Sequence, residues 1–183
     1  MHEEIIMAGF GGQGVMLLGK FISEAAMEEG KEVSWLPSYG PEMRGGTANC
    51  HVIVSDEPIA SPIITESSIL IAMNRPSLEK FEKTLKKDGI LFMNSSIIDI
   101  EPSRKDIKVY KVPLNDIANR LGSQKIINMV MAGALIAVTK IVNYETMKKV
   151  FEENLTGSKA KFIDLNLKSM DEGINYIKNE YKI

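Results

Sequence analysis

The chain is poor in the residues that build metal and redox centres. Its 183 residues include one cysteine, Cys50, and two histidines, His2 and His51. One thiol cannot form an internal disulfide. It cannot supply the four thiolates of an iron–sulfur cluster or of a structural zinc site. The expectation is a cytoplasmic protein that holds no metal of its own, so that any redox metal centre in its chemistry sits on another chain. Charge of one sign is also missing. Lys and Arg total 22 against 24 Asp and Glu, a net −2, which argues against a nucleic-acid partner, since that needs a basic face. Long apolar runs are absent too. Met129 to Val138 is ten residues, half of the ~20 that span a bilayer, so no membrane segment is expected. The start, Met1-His2-Glu3-Glu4, is acidic where a secretory leader is basic.

What remains is the balance of an ordinary globular protein: 44% hydrophobic and 25% charged residues. The length reads as one domain over 1–183. Ile5-Ile6-Met7-Ala8 is short, apolar on both faces and bounded by glycine, as a buried parallel strand is. A helical period follows over 13–29, closed by Gly30 at the C′ position. A second strand, 32–36, ends at Pro37, and a Gly- and Pro-rich loop leads to a β-branched strand over 47–55, for which antiparallel pairing is open. Strands at 69–73, 90–94 and 108–112 alternate with a helix over 77–85, for which Ser77 is the expected N-cap. Helices are expected near 114–121, 128–142, 144–155 and 166–182. Strands alternating with helices, then a helical final third, give an α/β class with a mostly parallel, helix-covered sheet.

Two stretches carry chemistry. Gly9-Phe10-Gly11-Gly12-Gln13-Gly14 fits G-x-G-x-x-G, with a strand before it and a helix after. Such glycines allow a tight turn and let an anion approach the free N–H groups of a helix start. Gly9, Gly11, Gly12, Gln13 and Gly14 are therefore the candidate anion-binding residues. A dinucleotide site also needs an acid at the end of the second strand. That region reads Val33-Ser34-Trp35-Leu36-Pro37-Ser38, with none. Glycines that serve only close helix–strand packing remain an alternative. The overlapping Gly14 to Lys20 mimics a P-loop, but Phe21 follows where a hydroxyl would bind Mg²⁺. The second stretch is Ser38-Tyr39-Gly40-Pro41-Glu42-Met43-Arg44-Gly45-Gly46-Thr47. It leaves the second strand and should lie beside the glycine loop. Glu42 and Arg44, two apart, face alike in an extended segment and form a candidate ligand clamp.

Together, and with Asn128-Met129-Val130-Met131-Ala132-Gly133-Ala134, these stretches resemble the gamma subunit of 2-oxoacid:ferredoxin oxidoreductases across nearly the whole chain. The form Gly45-Gly46-Thr47-Ala48 is closer to the 2-oxoglutarate and branched-chain members than to pyruvate members. The resemblance implies a Rossmann-like domain packed against alpha and beta subunits, with a small ferredoxin-like delta subunit as a further partner. It implies a complex that decarboxylates a 2-oxoacid oxidatively to an acyl-CoA and reduces ferredoxin. Thiamine diphosphate, Mg²⁺ and iron–sulfur clusters are then expected on the partner subunits, and coenzyme A as a substrate near the glycine loop, with Ser38 to Thr47 as interface or site loop. No residue is assigned as catalytic nucleophile, acid or base. The residues by themselves leave open a free-standing nucleotide-binding or NAD(P)-dependent reductase domain. The small residues Ala132, Gly133, Ala134 and Ala137 suit either an internal helix crossing or a subunit interface.

Overall fold

A computed structural model describes residues 1–38 and 47–183. They form six strands, β1 (His2–Phe10), β2 (Glu32–Ser38), β3 (Thr47–Ser55), β4 (Ser67–Ala72), β5 (Leu85–Asn94) and β6 (Lys108–Val112). Six α-helices accompany them: α1 (Val15–Glu28), α2 (Arg75–Phe81), α3 (Leu114–Arg120), α4 (Ile127–Thr139), α5 (Tyr144–Asn154) and α6 (Ile163–Tyr181). The sheet order is β2-β3-β1-β4-β5-β6. β1, β4, β5 and β6 pair in parallel, whereas β3 is antiparallel to both β1 and β2. β3 therefore runs alone against the other five. Glycine loop, β2 end and β3 start all fall on the carboxyl edge of the sheet.

Alternation along β1 splits the core. Ile5 and Met7 join one apolar cluster, with residues of α1, α3, α4, α5 and α6. Ile6 and Ala8 join the other, with Leu78 and Phe81 of α2. α1 and α2 thus leave adjacent strands, β1 and β4, for opposite faces, and the crevice between them is the topological switch point.

α4 is buried from Ile127 through Ala137. A methyl built on Gly133 would overlap the Met170 carbonyl of α6, and one built on Gly173 would overlap the Val130 carbonyl of α4. The small residues of α4 therefore serve an internal crossing with α6.

Several local expectations change. Asn74, not Ser77, caps α2: its Oδ1 accepts the Ser77 N–H at 2.9 Å. β2 continues through Pro37 to Ser38, because an edge strand tolerates a residue without an N–H. β5 starts at Leu85 rather than Ile90, with a register shift opposite Ser67 to Ile69. Gly30 holds its expected place, at φ +75°, with the Lys31 N–H bonded back to the Ala26 carbonyl.

Candidate functional site

β1 ends where its side chains can no longer be buried: Phe10 is exposed, and the chain turns at once. Gly12 and Gly14 sit at φ +94° and +74°, values that glycine alone adopts freely. Gly14 is the N-cap of α1, and among the described residues no side chain caps that helix. The N–H groups of its first turn are left for an outside acceptor, at the end where the helix dipole favours negative charge. Around Gly12 an added methyl would meet no described residue within 4 Å. Gly9 and Gly14 are crowded: a methyl on Gly9 would lie 2.9 Å from Met73 Cβ, and one on Gly14 would lie 2.7 Å from Asn128 Cγ.

The Gln13 side chain holds the loop in place. Its Oε1 accepts the Phe10 N–H at 2.7 Å and the Asn74 Nδ2 at 3.0 Å, and its Nε2 donates to the Met73 carbonyl at 3.1 Å. The carboxamide is spent on binding the glycine loop to the β4–α2 turn.

The same chemistry continues along the edge. Asn94, at the end of β5, donates to the Met73 carbonyl at 3.3 Å and to Asn115 Oδ1 at 2.8 Å. Asn115 donates to Gln124 Oε1 at 2.7 Å. Two residues after the turn Gln124–Ile126, Asn128 of α4 donates back to the Gly14 carbonyl at 3.2 Å. A belt of carboxamides therefore joins the carboxyl ends of β1, β4 and β5 to the starts of α1, α2, α3 and α4. Asn74, Asn94 and Asn128 are nearly fully buried, and buried amides with satisfied bonds hold a unique geometry. None of them titrates, so this scaffold is indifferent to pH. The sequence reading missed Asn74, Asn94, Asn115 and Gln124. A signal existed: Met73-Asn74 and Met93-Asn94 place the same dipeptide at the ends of two adjacent parallel strands.

The second expected loop is anchored beside the first. Thr47 pairs with Phe10, Ala48 with Gly9, and Ser38 with Asn49. Its ends thus meet the glycine loop across β3. Tyr39, Gly40, Pro41, Glu42, Met43, Arg44, Gly45 and Gly46 lie outside the described residues.

β3 also bears on the dinucleotide question. In a doubly wound nucleotide site the strand after the first helix lies next to β1, where its terminal acid meets the ribose. Here β3 stands between β1 and β2, so the end of β2 is displaced by one strand, ~4.8 Å, in addition to carrying no acid.

Cys50 and His51 point to opposite faces. Cys50 is fully buried, with its thiol 3.4 Å from the Val15 carbonyl, and burial pushes its pKa up to about 12. His51 is partly buried, which lowers its pKa. Neither is placed as a nucleophile or its base. Trp35 is 37% exposed on the edge strand β2. Among the described residues no group of three His, Cys, Asp or Glu side chains is placed to hold a metal ion, and no helix is long and apolar enough to cross a membrane. Lys20, in the P-loop mimic, is an ordinary helix residue 3.3 Å from Glu24.

Comparison with known proteins identifies the setting of this edge. The family model described as Pyruvate ferredoxin/flavodoxin oxidoreductase matches residues 4–176. The chain is 34% identical over 171 residues to the ketoisovalerate oxidoreductase subunit VorA of Methanothermobacter marburgensis, covering 93% of this chain and 35% of that one. It is 34% identical to the 2-oxoglutarate synthase subunit KorC of Methanocaldococcus jannaschii, covering 85% of this chain and 84% of that one. The chain thus spans about a third of the length of the first curated relatives it matches. Among solved structures, a keto/oxoacid ferredoxin oxidoreductase gamma subunit from Geobacter sulfurreducens superimposes with a TM-score of 0.84 at 30% identity, covering 96% and 95% of the two chains. A 2-oxoglutarate:ferredoxin oxidoreductase from Magnetococcus marinus, with 2-oxoglutarate, coenzyme A and succinyl-CoA bound, gives 0.89 at 25% identity, covering 97% of this chain and 31% of that one.

Proposed function

The chain belongs to the pyruvate ferredoxin/flavodoxin oxidoreductase family, and from that premise we propose that it is the gamma subunit of a multi-subunit 2-oxoacid:ferredoxin oxidoreductase of the 2-oxoglutarate synthase type. The complex decarboxylates a 2-oxoacid oxidatively, passes the acyl group to coenzyme A and the electrons to ferredoxin. The 183 residues act as one gamma-type domain in the cytoplasm, beside alpha and beta subunits and a small ferredoxin-like delta subunit.

The observation that carries this reading is the pairing of Phe10 with Thr47, which joins the two motif loops at one edge of the sheet. Matches to a free-standing gamma subunit of the same length and to a larger coenzyme A-bound enzyme support it. The donor set does not fit an iron–sulfur cluster, because the one cysteine is buried and its thiol is held in the neutral form. Clusters, thiamine diphosphate and Mg²⁺ belong to the partner subunits. Thiamine diphosphate supplies the decarboxylation chemistry there.

This chain's own residues bind and orient. Gly11, Gly12 and Gly14 present backbone N–H groups at the open start of α1 to an anionic part of coenzyme A or to a partner carboxylate. Gln13 and Asn128 fix the shape of that loop, and Gly9 lets it lie against Met73. Ser38 to Thr47 supplies the adjoining contact, with Arg44 and Glu42 as its electrostatic pair. No proton transfer or nucleophilic step is assigned to this chain.

The test is expression alone and with the neighbouring reading frames. The chain alone should oxidise no 2-oxoacid, whereas the co-expressed set should purify as one complex that reduces ferredoxin in the presence of coenzyme A. Activity of the lone chain, or its tight calorimetric binding of NADH or NADPH, would refute the subunit reading.

A further inference from the structure

Resting on the subunit reading, we infer that the groove between the start of α1 and the turn before α6 is the seat of a partner subunit, and that it takes an apolar side chain flanked by carboxylates. The groove encloses about 340 Å³ and is lined by Leu17, Phe21, Leu155 and Phe162, with Lys20 and Lys159 at its rim. Leu17 is 43% and Phe162 46% exposed. These are large apolar side chains, turned toward one cavity and left open to water, which marks a contact site rather than scattered surface residues. The flanking turn, Gly157–Phe162, has no buried residue at all.

Two observations identify what covers it. First, the aligned relatives carry this domain within much longer polypeptides: it makes up 35% of the ketoisovalerate oxidoreductase subunit and 31% of the Magnetococcus chain. There the remaining two thirds are covalently attached neighbours. In this protein the matching partner is the polypeptide equivalent to that remainder. Second, the charged groups lining the groove are Lys20, already paired with Glu24 at 3.3 Å, and Lys159, which makes no ion pair among the described residues and so leaves the groove a net positive charge. A second copy of this chain placed groove to groove would oppose lysine to lysine, which is unfavourable across a desolvated contact. A partner surface with Asp or Glu beside its apolar anchor is complementary.

The position also has a consequence for the site. Leu17 lies three residues after Gly14, in the uncapped first turn of α1. A partner seated on Leu17 therefore borders the open N–H groups of that turn, and assembly completes the glycine-loop site from outside.

Thiol labelling tests this cleanly, because Cys50 is fully buried and does not compete for the reagent. Leu17→Cys and Phe162→Cys replace exposed side chains and leave the core intact. In the free chain both should react with a maleimide at the rate of an accessible thiol. In the co-expressed complex both rates should fall at least tenfold. Lys159→Glu should weaken retention of the partner about tenfold, with Lys159→Arg restoring it. Equal labelling in the free chain and in an assembled complex would overturn the inference while leaving the subunit reading intact. Protection in the free chain that grows with its concentration would assign the groove to self-association and overturn it too. Failure to form any complex would overturn both.

Discussion

Glycines at two places in the fold do opposite things. At the α4–α6 crossing, Gly133 and Gly173 each face the other helix's backbone, so that a single methyl would collide with a carbonyl group. At the β1–α1 turn, Gly12 has a positive φ and no described residue within reach of an added methyl. The first pair is explained wholly by packing. Gly12 serves backbone shape and access, and no described residue packs against it. Gly14 lies between the two cases, with a positive φ and Asn128 pressed against it. Small residues therefore divide by what a side chain would meet.

Substitutions separate these cases. Gly133→Ala or Gly173→Ala should be the most damaging, by about 3 kcal/mol, because rigid backbone cannot yield to the methyl. Thermal denaturation of the lone chain would then show a midpoint lower by about 10 °C. An effect under about 1 kcal/mol would mean that the helices separate easily, and the crossing would lose its explanation. Gly14→Ala should cost about 2 kcal/mol, from the strained backbone and the displaced Asn128 amide. Asn74→Ala removes the cap of α2 and the partner of Gln13, and about 1–2 kcal/mol is expected by urea denaturation. Gly12→Ala should cost least in stability, about 1 kcal/mol, since only its φ resists. If Gly12→Ala proved as destabilising as Gly133→Ala, the distinction between packing and access would fail.

Much of this architecture was readable before any coordinates. Short apolar runs bounded by Gly and Pro marked β1, β3, β4 and β6, and the helical periods marked α1 and α3 to α6, because burial on one face or both imposes those patterns directly. The boundaries that shifted did so for local reasons. Asn74 took the cap from Ser77 because Pro76 can occupy the first turn of a helix, which moves the start of α2 upstream. The polar run Lys86-Lys87-Asp88 hid the first half of β5, since it lies at the exposed amino edge of the sheet. The placement of β3 between β1 and β2 follows from long-range pairing, which no local pattern encodes.

The candidate site was legible in part. The glycine motif and its neighbouring loop were visible as sequence, and the pairing of Phe10 with Thr47 brings their ends together. The bonds of the Gln13 carboxamide to the Phe10 N–H, Asn74 and the Met73 carbonyl carry no local sequence signal. The carboxamide belt escaped notice because its members lie far apart in sequence, and an isolated Asn after a strand looks like a turn residue.

The most direct test of the central claim is to assemble the complex with Gly12→Ala and measure ferredoxin reduction per folded gamma chain over a range of coenzyme A concentrations. If the glycine loop serves a site completed by assembly, the methyl intrudes where substrate or partner must lie, and kcat/KM for coenzyme A, or the yield of complex, should fall at least tenfold while the lone chain's melting point drops by only about 2–4 °C. Activity per folded chain equal to that of the parent, with undiminished assembly, would show that the loop only shapes the fold.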